Sequence, residues 1–521
     1  MTRTGAVLIG LLAASPLLAA GSAPPDPADR IACEALAAID LGDATGAAVR
    51  FTDVDLLPPA GDQPQLCRAT GFIEPQVGFE VRMPVSDWNG KLLVTGCSNL
   101  CGILQIQGME DALARGYAAA TTDTGHRTGD PTDARWAFNN PALEADFGHR
   151  AVHVTTLAAK ELVATYYGAR PDYSYFRGCS TGGRQALVAA ERYPEDFDGI
   201  IAGAPFNQSL SVPHMAWVLA ANNGPDGKPL LGRAEFDLLG KAVLAACDAE
   251  DGDADGIIAD PQSCAFDPGS LQCPAEDDAR NKAGGRCLDP AQVEAARRIY
   301  DGPRTRSGRK WSSGGAPRGG EFAWERVMLA TPGQPSLFEY VVQSWLQYLA
   351  FVPDPPLPPS SSAAPRLPAI DFDAGPAQFA DTAAVAGVTG DLRRFRARGG
   401  HLILYHGWAD ESLMPAHTVD YWNAVATHAQ GAPDDFARLF MVPGMLHCGD
   451  GPGAADIDYL SALERWVEAG DAPDSLLAYK VRKPRPTFEY QPRFPLAPET
   501  IESTRTIRPW PPVPGKSSRL P

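Results

Sequence analysis

Tyr173-Ser174-Tyr175-Phe176-Arg177-Gly178-Cys179-Ser180-Thr181-Gly182-Gly183-Arg184-Gln185-Ala186-Leu187-Val188 decides the fold. Tyr173 to Arg177 has the length and aromatic content of a strand, and Gly183 to Tyr193 reads as a helix. Between them Gly178-Cys179-Ser180-Thr181-Gly182 matches the G-x-S-x-G pattern in the strand-to-helix context that this pattern requires. The serine of such a turn has strained backbone angles, and small neighbours let strand and helix approach closely. The N–H of the next residue, Thr181, then faces the oxygen of an attacked carbonyl. The competing reading is a chance Gly/Ser loop. The flanking elements and the extra Gly183 favour Ser180 as a nucleophile.

Working outward, strands and helices alternate. Lys91 to Thr95 and Tyr117 to Thr122 are strand candidates, His149 to Tyr167 is a helix, and Gly199 to Ala202 starts another strand. After Pro205 the alternation stops. Residues 206–385 carry acidic loops, cysteines, a Gly/Arg/Ser stretch from Gly302 to Gly320 and a Pro/Ser stretch from Pro353 to Pro368. Such material reads as an irregular insertion into an α/β chain. The alternation resumes with His401 to Tyr405, a helix around Ala416 to His428, a strand from Ala437 to Val442 and a helix over 457–469. A parallel sheet with helices on its faces follows from this order. From Val481 the chain is rich in proline and basic residues, and an extended, irregular tail is expected over 481–521.

The acid and base are sought where open α/β sheets place their sites, at the carboxyl ends of strands. Asp410 follows the strand 401–405 in His406-Gly407-Trp408-Ala409-Asp410. His447 follows the strand 437–442 in Pro443-Gly444-Met445-Leu446-His447-Cys448. The chain order Ser180, Asp410, His447 is the order that this type of turn uses. In these roles His447 takes the serine proton, and Asp410 orients the imidazole. His406 and His126 compete for the base, and Asp450 and Glu411 for the acid. A second oxyanion donor is expected in Gly96-Cys97-Ser98-Asn99, at Cys97 or its neighbours. Cys179 precedes the nucleophile and Cys448 follows the base. A bond between them would hold both catalytic groups across most of the chain.

A chain of 521 residues with 44% hydrophobic content has material for one large domain with an insertion, or for two domains. Its net charge of −18 argues against nucleic acid or an anionic membrane surface as partner. Arg3, the apolar run from Ala6 to Leu18 and the small residues Ala19 to Ala23 read as a signal segment over 1–23, cleaved near Ala20 or Ala23. Removal of that segment leaves no membrane anchor. The expectation is a secreted or periplasmic protein. The sequence sets no oligomeric state. Ten cysteines suit an oxidising compartment, where an even number can all pair. Paired C-x2-C spacing is absent, so zinc is disfavoured.

Within the insertion, Asp251-Gly252-Asp253-Ala254-Asp255-Gly256 has the alternating carboxylates and turn glycine of a calcium loop. Asp248 adds a further carboxylate and Ile257 a backbone carbonyl. Gln262 stands where a full EF-hand needs glutamate. The expected ion is a structural Ca2+ on Asp248, Asp251, Asp253, Asp255 and Ile257, and the competing reading is a solvated acidic loop. Cys247 and Cys264 bracket this loop. Trp345, Tyr348 and Phe351 either line an aromatic pocket or form one packed helix face.

Together these residues resemble the tannase/feruloyl esterase family. The likeness lies in Gly178 to Gln185, Tyr193-Pro194-Glu195-Asp196-Phe197-Asp198-Gly199-Ile200, Ala202 to Pro205, His406 to Asp410, Val442 to Cys448 and the acidic loop 247–258. The resemblance implies an α/β-hydrolase fold with a large inserted lid domain. Residues 24–205 and 386–480 would form the catalytic domain, and 206–385 the lid with its calcium loop. It implies a Ser180–His447–Asp410 hydrolase acting on small aromatic esters, with galloyl, feruloyl, hydroxycinnamoyl or related benzoyl groups. It also implies the bridge Cys179–Cys448, and with it Cys247–Cys264, Cys273–Cys287, Cys33–Cys67 and Cys97–Cys101. Two features depart from the family. The loop from Gly96 to Cys101 is not glycine-rich, and no cysteine follows Cys448. The alternatives are a serine peptidase on the same scaffold and a non-catalytic binding protein.

Overall fold

Short strands that are apolar on both faces are stable only when both faces are covered. The chain meets that condition with a nine-stranded sheet. The computed structural model describes residues 31–274, 286–357, 368–482 and 492–510, and the expected signal segment lies outside the described residues. The strands are β1 (Val49–Leu57), β2 (Leu66–Ile73), β3 (Val77–Pro84), β4 (Lys91–Thr95), β5 (Ala118–Thr122), β6 (Tyr173–Cys179), β7 (Gly199–Gly203), β8 (His401–Gly407) and β9 (Ala437–Val442). Their spatial order is β1-β2-β3-β5-β4-β6-β7-β8-β9. The strands from β5 to β9 in that order pair in parallel, and β1, β2 and β3 add an antiparallel edge. Every residue of β5, β7 and β9 is buried.

The helices Ala151–Tyr167 and Thr181–Arg192 cover one face through Leu162, Val163, Leu187 and Val188. The helix Tyr459–Ala469 covers the other face through Leu460, Leu463 and Trp466. This is an α/β-hydrolase fold, in which the functional ends of the parallel strands share one edge. Cys33–Cys67 ties the first described residues to β2.

The insertion is more regular than its composition predicts. The helices Gln208–Ala221, Arg233–Cys247, Pro290–Asp301 and Leu337–Tyr348 pack around Phe236, Trp324, Phe338 and Trp345. Local caps make two of these helices legible in hindsight. Asp289 with Gln292, and Ser336 with Glu339, form reciprocal capping boxes. The tail also differs from expectation. Ile501–Ile507 is a strand, β12, that pairs antiparallel with β11 (Leu476–Val481), which in turn pairs with the two-residue β10 (Asp456–Ile457).

The insertion meets the connection after β5 at Asn139 and Asp354, where Asn139 N–H donates to Asp354 Oδ2 at 2.6 Å and Asp354 N–H donates to Asn139 Oδ1 at 3.1 Å. Glu144 lies in the same region on the short helix Pro141–Ala145 and is 7% exposed. Burial, then the charges of Asp354 and Asp381, push its carboxyl up to about 7. The folded state therefore binds more protons than the unfolded state between about pH 4.3 and pH 7. Stability falls as pH rises through that window, and the penalty is complete above it. Glu144→Gln removes the penalty. Thermal denaturation should show the variant a few degrees more stable at pH 8 and unchanged near pH 4.

Candidate active site

Ser180 caps the helix Thr181–Arg192 with φ 62° and ψ −122°, a left-handed conformation that side chains resist. The turn closes because its neighbours have no side chains. A Cβ on Gly178 would meet Gly182 at 2.5 Å, and one on Gly183 would meet the Gly203 carbonyl at 2.0 Å. Ser180 N–H donates to Gly203 O at 3.0 Å, and its carbonyl accepts from Phe206 N–H at 3.0 Å. The nucleophile candidate is thereby fixed to the end of β7. Thr181 supplies a first-turn N–H at a helix N-terminus, where backbone donors and the helix dipole favour an anion.

Asp410 is fully buried beyond β8. Its Oδ1 accepts the N–H groups of Ser412 and Leu413, both at 2.8 Å. Its Oδ2 lies 2.8 Å from His447 Nδ1 and 2.9 Å from His406 Nε2. Burial alone would raise this carboxyl. The charge of His447 and the bonds from both histidines outweigh burial and hold it below the usual carboxylate range. An ionised carboxylate only accepts, so His447 carries its hydrogen on Nδ1 and leaves Nε2 as a lone pair. Burial pulls the His447 imidazole down, but Asp410 dominates and the net shift is upward. By the same rule His406 carries its hydrogen on Nε2, with Thr418 Oγ1 2.7 Å from its Nδ1.

The competing groups find other work. His406 serves the far side of the Asp410 carboxylate. His126 stacks on Trp136 with ring centroids 4.1 Å apart, and burial lowers it to about 4. Glu411 accepts the backbone N–H of His447 at 3.2 Å. Its carboxyl is raised by burial and by Asp410.

Cys179–Cys448 joins the two neighbourhoods with an S–S distance of 2.04 Å. Ser180 and His447 line the same two cavities. All ten cysteines are paired, the others as Cys33–Cys67, Cys97–Cys101, Cys247–Cys264 and Cys273–Cys287.

Cys97, the expected oxyanion donor, has its N–H engaged by a side chain. Its N–H donates to Gln185 Oε1 at 3.1 Å, and Gln185 Nε2 sits 3.1 Å from its sulfur. The residue of this loop that shares both cavity walls with Ser180 is Asn99. It lines both cavities beside Ser180, adopts φ 51°, and its carbonyl accepts the Thr181 hydroxyl. Asparagine tolerates left-handed backbone better than most residues, and that was the available signal. Of the three aromatic candidates, Trp345 lines a cavity wall and packs on Phe379 with ring centroids 4.7 Å apart. Tyr348 meets Phe138, and Phe351 meets Phe379.

In the acidic loop, Asp248 Oδ1 accepts the N–H groups of Gly256 and Ile257 at 2.9 and 3.1 Å. Asp253 N–H donates to Asp251 Oδ1 at 3.0 Å. Arg505 of β12 spans the loop, 3.0 Å from Asp251 Oδ2 and 3.3 Å from Asp255 Oδ2. These hard oxygens suit calcium in kind. As arranged they serve Arg505 and backbone amides, and among the described residues no three acidic, thiol or imidazole groups gather closely enough to hold a metal. Ile257 also packs over Gly444, where a Cβ would meet its Cγ2 at 3.0 Å. The loop therefore touches the segment that carries His447.

The chain belongs to the tannase and feruloyl esterase family, which matches residues 64–517. It is 34% identical to a mono(2-hydroxyethyl) terephthalate hydrolase of Piscinibacter sakaiensis, over 80% of this chain and 78% of that one. It is 31% identical to a probable feruloyl esterase B-2 of Aspergillus flavus, over 80% of each chain. Among solved structures, feruloyl esterase B from Aspergillus oryzae superposes with a TM-score of 0.75 at 24% identity, covering 91% of this chain and 95% of that one. Tannin acyl hydrolase from Aspergillus niger gives 0.69 at 20% identity, covering 92% of each chain. The fold is shared with both. Family membership makes the protein a carboxylic ester hydrolase.

The bridge Cys179–Cys448 spans 269 residues of sequence and contributes about 6 kcal/mol in chain-entropy terms. It lies beside both Ser180 and His447, so turnover is expected to be more sensitive to it than stability is. In Cys179→Ala with Cys448→Ala, kcat should fall at least about tenfold under conditions where circular dichroism still shows a folded protein. Unchanged kcat with a lowered melting temperature would leave the bridge a staple only.

Proposed function

We propose that the protein hydrolyses aromatic carboxylic esters through Ser180, His447 and Asp410. The observation that carries this reading is the bond from His447 Nδ1 to a buried Asp410, placed by a disulfide beside a serine in a strained strand-to-helix turn. Nε2 of His447 takes the Ser180 proton as Oγ bonds to the ester carbonyl carbon. The carbonyl electron pair moves to oxygen, facing the N–H of Thr181 and the backbone at Asn99. His447 then gives the proton to the departing alkoxide, and the acyl group stays on Oγ. Water, deprotonated by the same nitrogen, attacks the acyl carbon and releases the acid and a protonated Ser180. The cavity beside Ser180 is walled by Phe206, Val212, Met215, Trp345 and Leu413, an apolar lining suited to an aromatic group.

The five disulfides support a secreted or periplasmic site of action. Among the described residues no helix is long and apolar enough to cross a membrane. In domain terms, residues 206–385 act as a lid over a catalytic unit formed by 24–205 and 386–480.

Ser180→Ala should lower kcat on an aromatic ester such as methyl ferulate by at least about 10^4-fold, and retained turnover would remove the reading. Catalysis needs neutral His447, whose imidazole Asp410 holds above its ordinary value. The rate kcat/KM should therefore fall as pH drops through a midpoint above 6.5. Asp410→Asn should move that midpoint downward and cost about 10^3 to 10^4-fold in kcat.

Calcium in the insertion belongs to the same proposal. Asp248, Asp251, Asp253, Asp255 and the Ile257 carbonyl would hold it, with Arg505 displaced from Asp251 and Asp255. Bound there, the ion would supply structural charge neutralisation. Titration calorimetry should give calcium binding that tightens in Arg505→Gln. No binding heat in either protein would leave the loop to Arg505 alone.

A further inference from the structure

Glu411 stands beside the proposed acid, buried, with a charge that no step of the proposed reaction uses. It is 7% exposed. It follows Asp410 directly, and the insertion packs against this turn. Ala323 of the insertion clusters with Ala409 and Leu446, and a Cβ on Gly320 would meet the Ala409 carbonyl at 3.1 Å. A second carboxylate in so dry a place, next to one already ionised, is costly. Burial and then the charge of Asp410 push its carboxyl up.

Stability alone gives no return on that cost, since a glutamine or an apolar side chain would fill the place without it. Among the described residues, the guanidinium paired with Glu411 is that of Arg326 on the insertion helix Glu325–Met328. It lies 3.9 Å from Oε1 on a side chain 59% exposed, a long contact screened by water. The closer engagement is with His447. Glu411 Oε2 accepts the His447 backbone N–H at 3.2 Å, while Asp410 Oδ2 lies 2.8 Å from Nδ1 of the ring. The histidine is therefore held at two points, its peptide by Glu411 and its ring by Asp410. Two points fix direction as well as position, which a single bond to the ring does not. The charge acts as well, adding to that of Asp410 in holding the imidazole above its ordinary value. Around Glu411 stand Asp410 on its own turn, His447 and Asp450 on the loop after β9, and Arg326 on the insertion.

We propose that Glu411 is a positioning residue for the base: its carboxylate anchors the backbone of His447 and adds negative charge beside the imidazolium that forms when Ser180 gives up its proton. This rests on the Ser180, His447 and Asp410 reading above and goes beyond it by giving the histidine a second carboxylate.

Two substitutions separate the anchor from the charge. Glu411→Gln keeps an oxygen that can accept the His447 N–H and loses the charge, whereas Glu411→Ala loses both. With methyl ferulate at pH 8, kcat should fall about three- to tenfold in Glu411→Gln and at least about 30-fold in Glu411→Ala, with KM within about threefold of wild type in each. The acid limb of kcat/KM should move to lower pH in both variants. Ionising a raised carboxyl costs the folded state stability as pH rises past about 4.3, the unfolded value. Thermal denaturation at pH 8 should therefore show Glu411→Gln at least as stable as wild type. Unchanged kcat with an unmoved acid limb in Glu411→Gln would overturn the proposal. So would Glu411→Ala with kcat kept and KM raised, since Glu411 would then be a contact to substrate. A fall in kcat matched by a fall in melting temperature in Glu411→Gln would also overturn it, by making Glu411 a structural support. Full turnover in Ser180→Ala would instead remove the catalytic reading on which the proposal rests.

Discussion

A carboxylate with no exposure to water must be answered by donors on every side, and Asp410 sets that demand on everything around it. Four donors meet it: two backbone N–H groups from the turn Ser412–Leu413 and two imidazoles. The turn is therefore fixed and Leu413 is delivered to the cavity wall. His406 is fixed in turn by Thr418 on the helix Pro415–His428. His447 is oriented by the bond at its Nδ1. Removing any one donor leaves charge unanswered in a dry site, so these elements stand or fall together.

Much of this was legible because each local rule pointed to the same architecture. Strand, G-x-S-x-G and helix occur in that order, and glycines fall where no Cβ fits. Asp410 and His447, the proposed acid and base, stand just beyond apolar strands in the order that the turn implies. The oxyanion loop was harder. Which N–H of Gly96 to Asn99 remains available depends on Gln185, which lies one helical turn into the helix after the nucleophile and claims Cys97. No pattern in the loop itself reports that contact. The insertion read as irregular because its glycine and proline stretches mask helices that are short and capped locally, such as Pro290–Asp301. Ile501–Ile507 escaped notice for a related reason: as an edge strand it buries only Ile507 fully, so its sequence is mostly polar.

The acidic loop shows how two readings of one motif can coexist. The spacing of its aspartates is that of a cation cradle, and a cation is present in the form of Arg505. The guanidinium comes from β12, so the charge of the loop also fastens that strand to the insertion. Ile257 at the loop's end rests on Gly444, three residues before His447. Charge neutralisation at the surface and the placement of His447 are thus mechanically adjacent.

The bridge Cys179–Cys448 has a consequence for how such a protein diversifies. Every residue of the insertion lies between its two cysteines, so the covalent separation of Ser180 and His447 is independent of how much chain is spliced between them. Cavity walls such as Val341 and Trp345 can then be exchanged, lengthened or trimmed without the reacting pair drifting apart. On the proposed mechanism, substrate choice and bond-breaking chemistry become separately heritable parts of one chain.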